Sequence, residues 1–577
     1  MKRFKSIILP MQGHSKSSLH WLYNTASAQE PPLIFQYDDF HFWFSGTGHR
    51  SSEKLLLYVS IPGSYLGRDF HDESSPADIP AETFLLNLLS PVLNELSTSY
   101  QNLDKNVREK AQLETQSTGY TMTRRNGISY RKEEDAFILR IHFNVPLLNA
   151  VSVNAKSAVA AVRDILDHIR DTLSDFNPAE LQNYIQTWQK QQAIRSYMKD
   201  HGLCVFIANG SILPRREDTD EPLAGAVLFR SPKELSVTIP MPDDTVMEGM
   251  GIPAGVTVIT GGGYSGKSTL LDAIEQGIYH HIPGDGREYV LTDPSAMRTD
   301  AEDGRPVSNT DISPFFSFLP GQEVEDFFTA HASGSVSQAA NIVEAVCAQA
   351  KLLLIDEDKS AANFMIRDRN MRLIVPNEPI IPFTDRVREL YQSRGISTIL
   401  VIGSSSEYLA YADQALLMED YLPRVITKEV QNLPLAAYKA AIKAASWTES
   451  RRLIPRETGQ EFLYVRHVKT ENEKKIILDD YVADITHLTA IINENQMNLL
   501  VALCERLLCR EDTDEEELLT LAKAYIDKAF DTHRETESVF LAAQLFSEEI
   551  RPMELYACLN RMRGLHFLKG GAACCPE

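Results

Sequence analysis

The chain has little cysteine, no long apolar run and no surplus of positive charge. Seven cysteines in 577 residues cannot form a disulfide framework. Cys504 and Cys509 fall on a helical pattern, Cys574 and Cys575 are adjacent in a short tail, and no His–Cys spacing suits a structural zinc site. Free thiols in a reducing compartment are expected. No apolar stretch reaches the roughly 18 residues that a membrane helix needs, so no membrane insertion is expected. Lys and Arg number 57 against 79 Asp and Glu, a net charge of −22. That balance excludes a protein that coats nucleic acid through its overall field, although a local basic patch remains compatible with it. Hydrophobic residues at 43%, charged at 24% and aromatic at 8% are ordinary globular values. They exclude a disordered, collagenous or coiled-coil chain as a whole.

Acid is also missing locally. No Asp or Glu precedes Glu30, while Lys2, Arg3, Lys5 and Lys16 are interspersed with Ser6, Ser15, Ser17 and Ser18. Such a start resembles an organelle transit peptide, so residues 1–30 are expected to be a targeting segment and the protein mitochondrial, or otherwise cytoplasmic. The acid concentrates in residues 251–350 and 501–550, including the run Glu511–Glu517, which reads as a solvated face.

Three regions follow. Residues 31–230 read as an α+β domain. It has strand-like alternation over 34–70, one long amphipathic helix over 82–115, a hairpin over 118–145 turning at Arg125-Asn126-Gly127, and helix again over 155–200. Residues 231–430 alternate short β-branched strands with helices, the pattern of an α/β layer around a largely parallel sheet. The apolar runs Val256–Thr260, Leu352–Ile355 and Thr398–Ile402 are its buried strands. Residues 431–577 are expected to be a helical C-terminal region.

The second region carries the chemistry. Gly261-Gly262-Gly263-Tyr264-Ser265-Gly266-Lys267-Ser268, then Thr269, matches the G-x-x-x-x-G-K-[ST] phosphate-binding loop, with a strand before it and a helix after. Glycines let backbone N–H groups converge on phosphate oxygens, and the helix start adds a favourable field for an anion. Lys267 would reach the β- and γ-phosphates of ATP, and Ser268 would ligate Mg²⁺. Leu352–Ile355 delivers Asp356 and Glu357 to a strand end, where Asp356 would hold Mg²⁺ and Glu357 would orient the attacking water. Ala332-Ser333-Gly334-Ser335-Val336-Ser337-Gln338 opens a further helix and forms a second anion cradle, with Ser333, Gly334, Ser335 and Gln338 as nucleotide contacts. One nucleotide does not need two cradles. The segment resembles the signature of ABC-class ATPases, although it is not the usual Leu-Ser-Gly-Gly-Gln; such ATPases use it on the γ-phosphate held by a partner subunit, and the resemblance implies a homodimer.

The resemblance becomes specific in several phrases: Phe206–Arg215, Gly249–Pro253, His281–Glu288, Ala301-Glu302-Asp303-Gly304-Arg305, Ala361–Asp368 and Leu559-Asn560-Arg561-Met562-Arg563. The chain resembles a divergent family of predicted ABC-class ATPases of bacteria and protists, densely over roughly 200–425 and thinly elsewhere. The resemblance implies an ABC-type ATPase core that binds ATP and Mg²⁺. For kinetoplastid members it also implies RNA binding and association with a mitochondrial RNA-editing complex. Departures from the family pattern are Ser265 in place of His, and Lys359 and Ala362 in place of Thr. Gly403-Ser404-Ser405-Ser406 stands where ABC proteins carry a switch histidine. Ser404 is the candidate for the γ-phosphate contact and is a poor proton acceptor, so slow turnover is expected. Gln322 suits a Q-loop or a plain surface residue, and Phe229 suits base stacking or the core.

Arg124, Arg125, Arg131 and Lys132, with Tyr130 among them, flank the expected hairpin tip. Basic groups interleaved with an aromatic suit single-stranded nucleic acid, and a solvated hairpin is the plainer alternative. The reading is an ABC-class ATPase that couples hydrolysis at a homodimer interface to RNA. The alternatives are a nucleotide-gated scaffold with little hydrolysis and the soluble ATPase subunit of a transporter.

Overall fold

The computed structural model describes residues 1–23, 33–46, 54–68, 70, 77–97, 111–217, 219–375, 377–403, 405–435, 444–448, 451–453, 468–471, 474–508, 517–530 and 545–569. Two compact units form: Met1–Gln189 with Asp527–Glu549, and Lys190–Ile526 with Ile550–Glu577.

In the first unit a helix α1 (Lys2–Ile8) precedes strands β1 (Phe35–Tyr37), β2 (Phe40–Gly46) and β3 (Lys54–Pro62). Helix α2 (Asp78–Leu96), strands β4 (Gln112–Glu114), β5 (Ile128–Arg131) and β6 (Ala136–Asn144), then helices α3 (Ala155–Asp175) and α4 (Pro178–Asp200) complete its main run. The strands make an antiparallel sheet in the order β1-β2-β3-β6-β4, with β5 also on β6. Alternating apolar residues of β2, β3 and β6 pack against Leu85, Leu89 and Leu93 of α2 and Val162, Leu166 and Ile169 of α3. Phe4 and Ile8 of α1, with Leu19 and Leu22, are buried in the same core, so part of the expected targeting segment packs inside this unit.

Two expectations change here. The helix expected over 82–115 ends at Leu96, and Gln112–Glu114 pairs as a strand with Gln112 opposite Asn144. The hairpin over 118–145 forms, but β5 turns into β6 at Lys132–Asp135, with Arg131 opposite Ala136 and Asp135 at φ +44°. Gly127 serves a close approach rather than a turn. Its N–H donates to Gln116 Oε1 at 2.8 Å, and a Cβ there would lie 2.4 Å from that oxygen.

The second unit opens with an antiparallel sheet built from β7 (Leu203–Ala208), β8 (Ser236–Pro240), β9 (Val246–Pro253) and β11 (Val290–Thr292), in the order β11-β7-β9-β8. Between β9 and β11 come β10 (Val256–Gly261) and helix α5 (Lys267–Gln276). Next in the chain are β12 (Met297–Arg298), β13 (Val307–Thr310), β14 (Phe327–Thr329), α6 (Gly334–Cys347), β15 (Leu352–Asp356), α7 (Ala362–Met365), α8 (Arg369–Ile374), α9 (Phe383–Arg394), β16 (Ser397–Val401), β17 (Gln414–Glu419), β18 (Leu422–Val425) and α10 (Thr427–Gln431). Six of these strands form the main sheet, β12-β15-β16-β10-β17-β18, parallel except for β18. Its central strands are apolar on both faces, as a sheet covered by helices requires.

The region after residue 431 is not helical throughout. It contains β19 (Arg451–Leu453), β20 (Val468–Glu471), β21 (Lys475–Leu478), β22 (Tyr481–Asp484) and β23 (Phe567–Lys569), besides α11 (Glu494–Leu508), α12 (Leu518–Ala529) and α13 (Pro552–Asn560). Residues 511–516 of the acidic run lie outside the described residues.

One buried carboxyl has a pH consequence. Glu82 of α2 accepts the Tyr130 N–H at 2.6 Å. Burial, aided by Asp78, pushes its carboxyl up to about 8. The native state therefore holds a proton that the unfolded chain, at about 4.3, releases. Its stabilising contribution is complete below that unfolded value and is lost as pH rises through about 8. Urea midpoints at pH 6 and pH 9 should diverge in the native protein, and Glu82→Gln should shrink that difference.

Candidate nucleotide-binding site

Strand β10 ends where the backbone must turn sharply. Gly261 sits at φ +153°, with Met418 O 2.7 Å from where its Cβ would be, and Gly266 caps α5 at φ +93°. Both positions exclude a side chain. Between them Tyr264 adopts φ +60° and is fully exposed, a left-handed conformation costly for a bulky residue. The Lys267 ammonium folds back over the loop and donates to Gly261 O and Gly262 O, both at 2.8 Å. The Ser265 hydroxyl is buried without a partner among the described residues, while Ser268 is exposed and Thr269 half-buried at the start of α5. This is a cradle of backbone N–H groups, a helix start and one movable cation, the donor set for a polyphosphate.

The parallel sheet brings the carboxylates to the same edge. In β15, Asp356 pairs with Val401 of β16, and Val401 pairs with Ile259 of β10, so the ends of the three strands are level. The Asp356 side chain is 4% exposed. Burial raises its carboxyl, opposed by the Asp358 N–H at 3.2 Å and by the Arg298 guanidinium at 3.7 Å. Arg298, on edge strand β12, also pairs with Glu275 of α5 at 2.8 Å and with Asp300 at 2.8 Å. It thus joins the helix after the phosphate loop to the strand that ends in Asp356. Burial leaves Asp300 up at about 6. Glu357 is half-buried, and its Oε2 accepts the Gly403 N–H at 2.6 Å. Ser404 lies outside the described residues.

Ser268 and Asp356 supply hard oxygen ligands suited to Mg²⁺, which takes most of its remaining ligands from phosphates and water. Among the described residues no cluster of three or more His, Cys, Asp or Glu forms a cage for a metal by itself.

The second cradle begins α6. Ser333 is its N-cap, exposed and with its hydroxyl unused in capping, and Gly334 is half-exposed. Ser335 is 8% exposed and donates to Asn363 Oδ1 at 2.7 Å. Gln338 does not face a nucleotide. It is wholly buried, donates to Thr299 O at 3.1 Å and Ser360 Oγ at 2.8 Å, and accepts the Ala361 N–H at 3.0 Å. Its amide fixes the segment after Glu357 to α6, because a buried amide must find partners for both ends. Gln322 is exposed in a turn with Leu319, and Phe229 belongs to the core of this unit.

Residues 177–452 match the family model for the P-loop domain of ABC ATPases. This part of the chain is an ABC-type ATPase domain. An uncharacterised protein of Methanocaldococcus jannaschii is 32% identical over 246 residues, covering 40% of this chain and 53% of the relative. The chain thus spans about half the length of that curated relative. Among solved structures, the cbiO1 part of the cbiONQ ABC transporter complex of Clostridium perfringens is 15% identical, with a TM-score of 0.24 over 40% of this chain and 91% of that one. An ABC transporter's ATP-binding cassette in its ADP conformation is 18% identical, with a TM-score of 0.22 over 32% of this chain and 87% of that one. Among the described residues no helix is long and apolar enough to cross a membrane.

The basic residues expected to meet RNA are placed otherwise. In the first unit Arg125 is almost fully buried, paired with Glu548 at 3.1 Å, and donates to Thr118 O at 2.7 Å and Thr121 O at 2.9 Å. Arg124 pairs with Glu549 at 2.5 Å and Asp527 at 3.2 Å. Arg131 lies over the Trp43 ring at 5.8 Å and reaches Glu134 at 3.3 Å, and Lys132 is exposed. A phosphate cannot reach Arg125. Its acidic partner Glu548 lies more than 400 positions away in sequence, where no local reading would look for it. Arg298 was also missed by sequence reasoning, although it is one of only three arginines in the acidic stretch 251–350.

Lys267→Ala should weaken ATP binding about ten- to hundredfold, the worth of a charge-assisted hydrogen bond of about 1.5–3 kcal/mol, with the thermal midpoint nearly unchanged. Arg125→Ala should destabilise the first unit by about 3–5 kcal/mol, because Glu548 is left buried and unpaired. Arg131→Ala should cost less than Arg125→Ala by the same urea titration, because the Glu134 it leaves behind is exposed and water solvates it.

Proposed function

We propose that two copies of this chain close on ATP and hydrolyse it slowly, each phosphate loop completed by Ser333, Gly334 and Ser335 of the other copy. The observation that carries the reading is the second cradle. Ser333 and Gly334 open α6 at the surface, and no side chain caps that helix start. An exposed helix start favours an anion, and a phosphate loop elsewhere on the same chain would already supply a first cradle. A two-fold contact supplies both cradles to both nucleotides at once.

Lys267 would hold the β- and γ-phosphates, and Ser268 with Asp356 would hold Mg²⁺. Bound there, Mg²⁺ would supply positive charge against the charge developing on the transferred phosphoryl group. Glu357 stands where it can orient the attacking water. Its Oε2 already accepts the Gly403 N–H at 2.6 Å, so that oxygen is engaged before any water arrives. The same hydrogen bond favours a second reading, a nucleotide-gated scaffold that closes on ATP and turns over rarely. Steady-state phosphate release separates the two.

RNA is the partner implied for the first unit by the family resemblance, within a mitochondrial RNA-editing complex. Arg131 and Lys132 are then the phosphate contacts, since Arg124 and Arg125 are committed to acidic partners. Charge reversal at Arg131 and Lys132 should weaken RNA retention on filters and flatten its salt dependence.

Glu357→Gln should bind ATP with Mg²⁺ and accumulate as a dimer in light scattering, whereas the native protein returns to monomer as ATP is consumed. A Glu357→Gln protein that stays monomeric with ATP would sink the dimer.

A further inference from the structure

Two phrases singled out in the sequence, Ala301–Arg305 and Leu559–Arg563, meet in the second unit. The Arg561 guanidinium is 4% exposed. It grips the Glu302 carboxylate at both oxygens, with Nε to Oε2 at 3.0 Å, and donates to Asn341 Oδ1 at 3.1 Å. Its third anchor is Ala557 O at 3.0 Å, within its own helix α13. Asn341 lies on α6, and its amide donates to Glu302 Oε1 at 2.9 Å and Asp300 O at 2.8 Å. Arg305 donates to both oxygens of Glu344, also on α6, at 2.8 Å.

The loop that Arg561 grips holds the second cradle by its backbone. Gly304 N–H donates to Ala332 O at 2.7 Å, and Ala332 N–H donates to Arg305 O at 2.9 Å. Glu302 N–H donates to Ser337 Oγ at 2.9 Å, and Asp303 Oδ1 lies 3.1 Å from where a Gly334 Cβ would stand. Ser333, Gly334 and Ser335 are therefore bracketed by residues 302–305 on one side and by Asn341 further along α6. Arg561 joins the two brackets.

Buried charge pairs contribute little net stability, since desolvation offsets most of the attraction. What a fully satisfied buried network does supply is a single geometry. None of these groups touches the phosphate loop or Asp356 in the contacts described.

We propose that Arg561 is a positioning residue for the second cradle: it fixes the rotation of α6 and the 302–305 loop so that Ser333–Ser335 meet the partner's nucleotide. The inference rests on the closed-dimer reading. Its test uses the full chain carrying Glu357→Gln, with ATP and Mg²⁺, and reads the concentration of half-dimerisation by sedimentation. Arg561→Lys keeps the charge but loses the forked grip. It should raise that concentration about tenfold, the worth of one charge-assisted hydrogen bond. Affinity of the phosphate loop for a fluorescent ATP analogue should change less than about twofold. The double substitution Glu302→Gln, Arg561→Met removes both charges, so it should restore the thermal midpoint while dimerisation stays weak. Normal dimerisation in either variant, or a parallel loss of ATP affinity, overturns the positioning role. A monomer with Glu357→Gln alone overturns the dimer reading first, and this one with it.

Discussion

Everything at the nucleotide site depends on the parallel register of β10, β16 and β15. Ile259, Val401 and Asp356 are paired across the three strands. The residues that follow them therefore emerge at one edge: the phosphate loop after Gly261, Gly403 after β16, and Glu357 after β15. Neighbouring strands lie about 4.8 Å apart, so the loop and the two carboxylates are separated by only about 10 Å. A one-residue slip in β15 would turn Asp356 to the opposite face of the sheet.

Around that edge the chain arranges charge so that each carboxylate is distinct. Asp356 is buried and restrained by Arg298, whereas Glu357 is half-buried and held by one backbone N–H. Arg298 reaches Asp272, Glu275, Asp300 and Asp356 from a strand only two residues long. One guanidinium cannot neutralise four carboxylates. Burial accordingly lifts Asp300 to about 6, the least costly place for a proton to be retained.

The readable parts of the sequence were those in which local pattern and tertiary role coincide. Gly261–Ser268 and Leu352–Glu357 could be assigned from residue type alone, because a phosphate cradle and a buried strand ending in acid each demand specific chemistry at adjacent positions. Gln338 looked like a nucleotide contact because it follows Ser333–Ser335, yet α6 is buried from Ser335 onward and the Gln338 amide is spent on Thr299, Ser360 and Ala361. Asn126-Gly127 looked like a hairpin turn. The glycine is instead needed so that the Gln116 side chain can approach, a long-range packing demand invisible to turn propensity. The break of the expected 82–115 helix at Leu96 is similar, since pairing of Gln112–Glu114 with β6 outweighs local preference.

Arginine shows most clearly why charge alone could not be interpreted. Arg125, Arg298, Arg305 and Arg561 are all buried or nearly so, each facing carboxylates brought from elsewhere in its own unit. In a chain of net charge −22, an isolated cation has many acidic partners to choose from, and burial makes the pairing strict because an unpaired charge is intolerable inside. A basic cluster in such a background is as well explained by internal neutralisation as by an external polyanion. The forked guanidinium adds direction, since it accepts a carboxylate only in one plane. That geometric demand makes these four arginines organisers of loops and helix ends rather than a surface for a ligand.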